Sequence, residues 1–74
     1  LEWDLGSAAM AHACAAIPNI GVERYAADII GHVFHTAHAT TPELCPVPGF
    51  VTVPQGPGLG LDLDRDRVLA LRIP

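Results

Sequence analysis

The sequence predicts an α/β fold built from short pieces, a fragment of a larger core rather than a self-sufficient domain. Three observations carry this. The chain has 74 residues, at most one small domain, and a body of that size is only marginally stable unless something staples it. Half of it is hydrophobic and its mean hydropathy is +0.34, apolar for a body with so much surface. Much of that content is Ala, which buries little per residue. Seven Pro and seven Gly, gathered mostly in the second half, preclude long regular elements there.

In chain order, residues 1–5 read as the end of a strand, and Gly6 as a turn or close-packing residue. Residues 7–17 read as a helix, because Ala is the best helix former. Asp4 or Ser7 is placed to cap it by accepting from free backbone N–H groups. Pro18 stops it, since Pro has no donor and disfavours helix at the residue before it. The helix has almost no polar face, unlike a surface helix. Met10, Cys14 and Ile17 supply bulk and Ala fills the rest, so neighbours outside this chain are expected to press on it. His12 on this apolar surface reads as a satisfied core histidine.

Residues 18–21 form a turn. Over residues 22–38, Tyr25, Ile29 and Phe34 fit helical spacing. The strand-prone Ile29, Ile30, Val33 and Phe34 and the interruption at Gly31 favour extended or irregular backbone instead. Residues 40–48, rich in Pro and Thr, form a loop. Residues 50–53 form a short strand bounded by Pro48 and Pro54. Residues 55–60 are a turn, residues 61–63 alternate like a half-buried strand, and residues 64–70 form a helical turn capped by Asp64. Residues 71–73 alternate again. No internal repeat is visible.

Eight acids against four Arg, with no Lys, give a net charge of −4. Such a chain is a poor binder of nucleic acid or anionic membrane, so neither is expected as a partner. The missing Lys also removes the side chain best suited to serve as a neutralised buried base. Cys14 and Cys45 are too few for a disulfide framework and are expected as reduced thiols in a cytoplasmic protein. Glu2 and Asp4 stand where a signal peptide would be basic. The apolar run 8–17 falls short of the ~20 residues that span a bilayer.

Several patterns invite chemistry. Gly56-Pro57-Gly58-Leu59-Gly60 has the wrong spacing for a dinucleotide loop and lacks the Lys of a nucleotide P-loop; it reads as a rigid turn. Asp62, Asp64 and Asp66 begin like a calcium loop, but Arg67 and Ile73 occupy the places that need Gly and Glu. His32, His35 and His38 lie three apart, so a transition metal is conceivable, yet no Cys or carboxylate stands beside them at ligand spacing, and no metal ligand is assigned. Glu2-Trp3-Asp4 is the most informative cluster. In an α/β barrel this position, at the end of a strand and before a helix, faces the active site. Glu2 could act as a general acid if burial raises its pKa. Trp3 could form a pocket wall or stack on a cationic group, and Asp4 could contact substrate or simply cap the helix.

Glu2-Trp3-Asp4-Leu5-Gly6-Ser7-Ala8-Ala9 with His12, then Ile17-Pro18-Asn19-Ile20, resembles the last barrel strand and following helix of the enolase superfamily, in its mandelate racemase and muconate lactonizing branch. The tail from Gly49 through Asp64, with its Val-Pro and Gly-Pro-Gly-Leu-Gly, is similar to that family's closing signature. Together the matches cover nearly the whole chain. The resemblance implies the C-terminal fragment of a (β/α)7β barrel enzyme with an α+β capping domain. Residues 1–20 would be the last barrel strand and helix, 21–48 an irregular return segment, and 49–74 the closing segment of barrel and cap. It implies Mg-assisted removal of a proton α to a carboxylate, as in racemases, epimerases, dehydratases and cycloisomerases. The Mg and the Lys bases would belong to an upstream part, and the chain alone would be inactive. Glu2 matches an active-site position beside a small carboxylate substrate. Trp3 and Asp4, which match no fixed family residue, would mark substrate preference. The expected partners are the remainder of the same enzyme and, for the whole enzyme, further copies of itself. The alternative is a small non-catalytic interaction or structural module derived from this segment.

Overall fold

The computed structural model describes residues 2–41, 44 and 49–73. Helix α1 spans Asp4–Ala16, a 3-10 helix spans Gly31–Phe34, strands β1 and β2 span Thr40–Thr41 and Asp62–Leu63, and helix α2 spans Arg65–Leu71.

Helix α1 begins three residues before the expected start. Its N-cap is Trp3, which makes no side-chain cap bond, and the Ser7 amide closes the first turn onto the Trp3 carbonyl at 3.0 Å. Neither Asp4 nor Ser7 caps it; both point away to partners described below. Asp4 still sits in the first turn, where negative charge suits the helix dipole. The end falls as expected: Ile17 is extended and donates back to the Ala13 carbonyl, and Pro18 follows. The buried residues of α1 are Asp4, Ser7, Ala8 and Ala11, one face at helical spacing. Half of that face is polar, so hydrogen bonds as well as burial hold what packs on it.

Residues 22–30 are irregular and only the short 3-10 helix follows, in line with the interruption expected at Gly31. Two expectations fail in the second half. Thr40–Thr41 is a strand rather than loop, pairing antiparallel with β2 in the register Thr40 to Leu63 and Thr41 to Asp62. The Asp64 amide extends the pairing to the Ala39 carbonyl at 2.8 Å. Conversely, residues 51–53 are not a strand; Phe50 alone makes a bridge. Strand β2 falls where alternation placed it, but both its residues are exposed. Helix α2 forms with Asp64 as N-cap, accepting from the Arg67 amide at 3.1 Å, and it takes in Leu71. Residues 42, 43, 45–48, 1 and 74 lie outside the described residues, and with them Cys45 and the rest of the expected loop. Cys14 is a free thiol.

The glycine tail folds as a rigid turn. Gly56, Gly58 and Gly60 all have positive φ. Gly60 is the most constrained: a Cβ there would stand 2.7 Å from the Pro54 backbone. The turn is tied to α1 by His12, whose Nε2 lies 2.8 Å from the Leu59 carbonyl and must donate to it. This is the satisfied histidine the sequence suggested.

Packing is thin. The buried hydrophobic residues described are Ala8, Ala11, Ile29 and Leu44. The chain exposes 5541 Å², against about 4400 Å² for a compact protein of its mass. Its radius of gyration is 13.0 Å, against about 11 Å for a compact domain of this length. Phe50 is 75% and Ile73 91% exposed. An open apolar groove of about 490 Å³ runs between α1 and the irregular segment, lined by Ala11, Cys14, Val22, Ile29, Phe50 and Val53 among others. Such a surface leaves little apolar area buried to stabilise the fold. The isolated 74-residue chain is therefore expected to show no cooperative thermal transition by circular dichroism; a sharp melt would mean that this small core suffices.

Candidate functional site

The first turn of α1 and the residues just before it meet the segment 31–40 at four consecutive points. Glu2 precedes the helix in extended backbone. Its Oε1 accepts from the Ser7 hydroxyl and from the Gly31 amide, both at 3.0 Å. Ser7 Oγ lies 2.9 Å from His32 Nδ1. The Trp3 ring stacks on His35, with centroids 3.9 Å apart and planes 16° from parallel. Asp4 Oδ1 contacts His38 Nδ1 at 3.1 Å, and its Oδ2 accepts from the Ala39 amide and the Thr40 hydroxyl, each at 3.1 Å.

Two glycines make room for Glu2. A Cβ on Gly6 would stand 2.8 Å from Glu2 Cβ, and one on Gly31 would overlap the Glu2 carboxylate itself. The 3-10 helix thus approaches closely enough for its first amide to reach Oε1 only because position 31 has no side chain. Sequence reasoning marked Gly31 as a break and missed this use, for which the only signal was a Gly between four bulky residues.

The electrostatics follow from the donors. The Glu2 carboxyl is held below its ordinary value, first by its own backbone N–H; burial opposes this, and Ser7 and Gly31 add to it. The condition under which Glu2 would be a ready-made general acid, a pKa raised by burial, is not met in this chain: Glu2 is an acceptor. For Asp4 burial is the largest influence and pushes the pKa up. The bonds from His38, Ala39 and Thr40 and the charge of His38 together outweigh it, so the net shift is downward.

Asp4 has no exposed surface, and both its oxygens are engaged. The expectation that it caps α1 is therefore corrected: it clamps residues 38–40, 34 or more residues away. Trp3 keeps 38% of its surface exposed, so a pocket-wall role stays open to it, with His35 as the group it stacks on. The three histidines share no helix row. His32, His35 and His38 each answer a different residue, Ser7, Trp3 and Asp4, and no group of three His, Cys, Asp or Glu among the described residues could hold a metal ion. Ser7 was considered only as a cap, yet it sits at the centre of the cluster. Its order, carboxylate then hydroxyl then imidazole, is not that of a hydrolase triad, in which the imidazole lies between acid and hydroxyl. The Ser7 proton points at Glu2, and the residue is fully buried.

What places this site in a family is the continuity of the match along the chain. The family model for the enolase C-terminal domain-like fold matches residues 1–67. The chain belongs to the enolase C-terminal domain-like family. No curated protein and no solved structure gives a match. Within this enolase-type segment the match takes in the Glu2 cluster, α1, the return segment, the glycine turn and the start of α2. No helix among the described residues is long and apolar enough to cross a membrane.

Two outcomes follow for the full-length protein. The stabilisation from Asp4 is present above its ordinary value of 3.8 and is lost as pH falls through its lower folded value. Asp4→Asn should cost about 1–3 kcal/mol at neutral pH and flatten the acid limb of a melting-temperature profile taken downward from pH 5; an unchanged acid limb would contradict the clamp. Gly31→Ala forces the Glu2 carboxylate aside and should destabilise by about 1–3 kcal/mol in denaturant melts, whereas a glycine that merely breaks a helix would be improved by Ala.

Proposed function

We propose that this chain is the closing part of an enolase-superfamily enzyme of the mandelate racemase and muconate lactonizing kind. Its reaction would remove a proton α to the carboxylate of a small substrate, as a racemase, epimerase, dehydratase or cycloisomerase, and the chain alone would be inactive. The observation that supports this best is the fixing of Glu2 in its glycine cradle at the start of α1, inside the family match. A residue held by two directed bonds and two close glycines is pre-organised, as a group that meets a reacting centre must be.

In the chain as it stands Glu2 is ionised and accepts. A substrate carboxylate beside it would be a like charge, which raises the pKa of one partner. Substrate binding would thus turn Glu2 into a donor that shares a proton with the substrate carboxylate as charge develops there. Trp3 would contribute pocket wall, and Asp4 would hold the return segment without touching substrate.

The Mg of this reading does not fit the residues described here. Glu2 Oε1 and both Asp4 oxygens are engaged within the chain, and no group of three ligands is present among the described residues. Its ligands and the proton-abstracting base would lie in the remainder of the enzyme, whose elements would also cover the apolar groove. Association of whole enzymes into a homo-oligomer and a cytoplasmic location belong to the same reading. The alternative, an independent interaction module, is disfavoured by a described core of four hydrophobic residues.

Glu2→Gln in the full-length enzyme is expected to keep the fold and to lower exchange of the substrate α-proton with solvent deuterium by roughly 100-fold or more. Undiminished exchange in a folded variant would remove Glu2 from the reaction.

A further inference from the structure

The polarity of the Glu2–Ser7–His32 chain can be fixed by counting protons. The two contacts of Glu2 through Ser7 and Gly31 fall on the same oxygen, Oε1. A backbone N–H can only donate, so Oε1 is an acceptor, and it takes the Ser7 proton as well. A serine hydroxyl has one proton to give. Once that proton is directed to Glu2, the 2.9 Å contact between Ser7 Oγ and His32 Nδ1 holds a proton only if the imidazole supplies it. A neutral His32 therefore carries its proton on Nδ1. Its Nε2 is left with a lone pair, in a side chain that is 1% exposed, and makes no hydrogen bond among the described residues.

We propose that His32 is a positioning residue for Glu2, acting through Ser7 in a fixed Nδ1–H tautomer, and that its buried Nε2 receives a hydrogen bond from a donor outside the described residues. The sense of the relay is one-way: imidazole to hydroxyl to carboxylate. An acceptor brought against Nε2 would face a lone pair, so the element of the whole enzyme that covers His32 must present an N–H or O–H there. The other charged and titratable groups described in the cluster are engaged elsewhere, except that His35 Nε2 is likewise buried and makes no hydrogen bond among the described residues. Asp4 answers His38, Ala39 and Thr40 from the same turn of α1, and His35 lies under Trp3. The inference rests on the reading of Glu2 as an active-site residue only for its consequence in catalysis; the tautomer stands or falls on its own.

The test is solid-state ¹⁵N spectroscopy of the full-length protein labelled at histidine, with the His32 signals assigned by difference from His32→Asn. The expected result is a protonated Nδ1 and an unprotonated, hydrogen-bonded Nε2. Ser7→Ala, which removes the acceptor, should shift the Nδ1 signal and supplies the assignment if the His32 variant does not fold. His32→Asn, whose amide can place an N–H near the Nδ1 position, should retain Glu2-dependent α-proton exchange better than His32→Gln, whose longer side chain reaches toward Nε2 instead. A protonated Nε2 with bare Nδ1 would overturn the proposal, as would equal losses in the Asn and Gln variants. Full activity in Glu2→Gln beside the predicted tautomer would instead remove the role of Glu2 and leave the relay standing.

Discussion

The structure depends on two carboxylates at the start of α1 that hold backbone amides of a distant segment. Glu2 takes the amide of Gly31, and Asp4 takes that of Ala39. These amides lie in backbone with little regular structure, so no ladder would otherwise satisfy them, and a buried amide without a partner is costly. The carboxylates thus do for the return segment what a neighbouring strand would do in a sheet. With Ser7 and Trp3 between them, they fix the register of residues 31–40 against one helical turn. The placement of β1 beside β2 follows, since Thr40 is at once an Asp4 ligand and a member of β1.

This explains how a chain with so thin a core has defined local order. The buried face of α1 contributes two Ala, Asp4 and Ser7. Each Ala methyl is worth roughly 0.8 kcal/mol on burial, whereas a hydrogen bond to a charged group is worth about 1.5–3 kcal/mol. The polar half of the face is therefore the stronger half. It is also directional, which suits a site where Glu2 must be held at a set position rather than merely packed. On the apolar half, Ala11 faces the open groove, which the exposed Phe50 also lines.

The local features were legible in the sequence because local chemistry causes them. Pro18 stops α1, Asp64 caps α2, and the glycines at 56, 58 and 60 take positive φ because only glycine does so without strain. The family was legible for the same reason, since its closing turn is a compact run of such residues. The site was half legible: Glu2, Trp3 and Asp4 were singled out, but their partners were not. Asp4 looked like a cap because nothing local reveals that its acceptors are answered 34 to 36 residues later. Thr40–Thr41 looked like loop because two-residue strands exist only through their partner. Residues 50–53 looked like a strand because β-propensity does not report whether a partner strand is available. Ser7 looked like a cap and Gly31 like a break, since their function lies in an approach between segments.

The central claim is that two side-chain carboxylates, rather than backbone acceptors, hold the Gly31 and Ala39 amides of the return segment. Hydrogen–deuterium exchange of the Gly31 and Ala39 amides in the full-length protein tests it most directly. Both should be protected in the wild type, with Gly31 losing protection selectively in Glu2→Ala and Ala39 selectively in Asp4→Ala. Amides that exchange at the rate of exposed residues in the wild type, or that keep their protection in both variants, would contradict it.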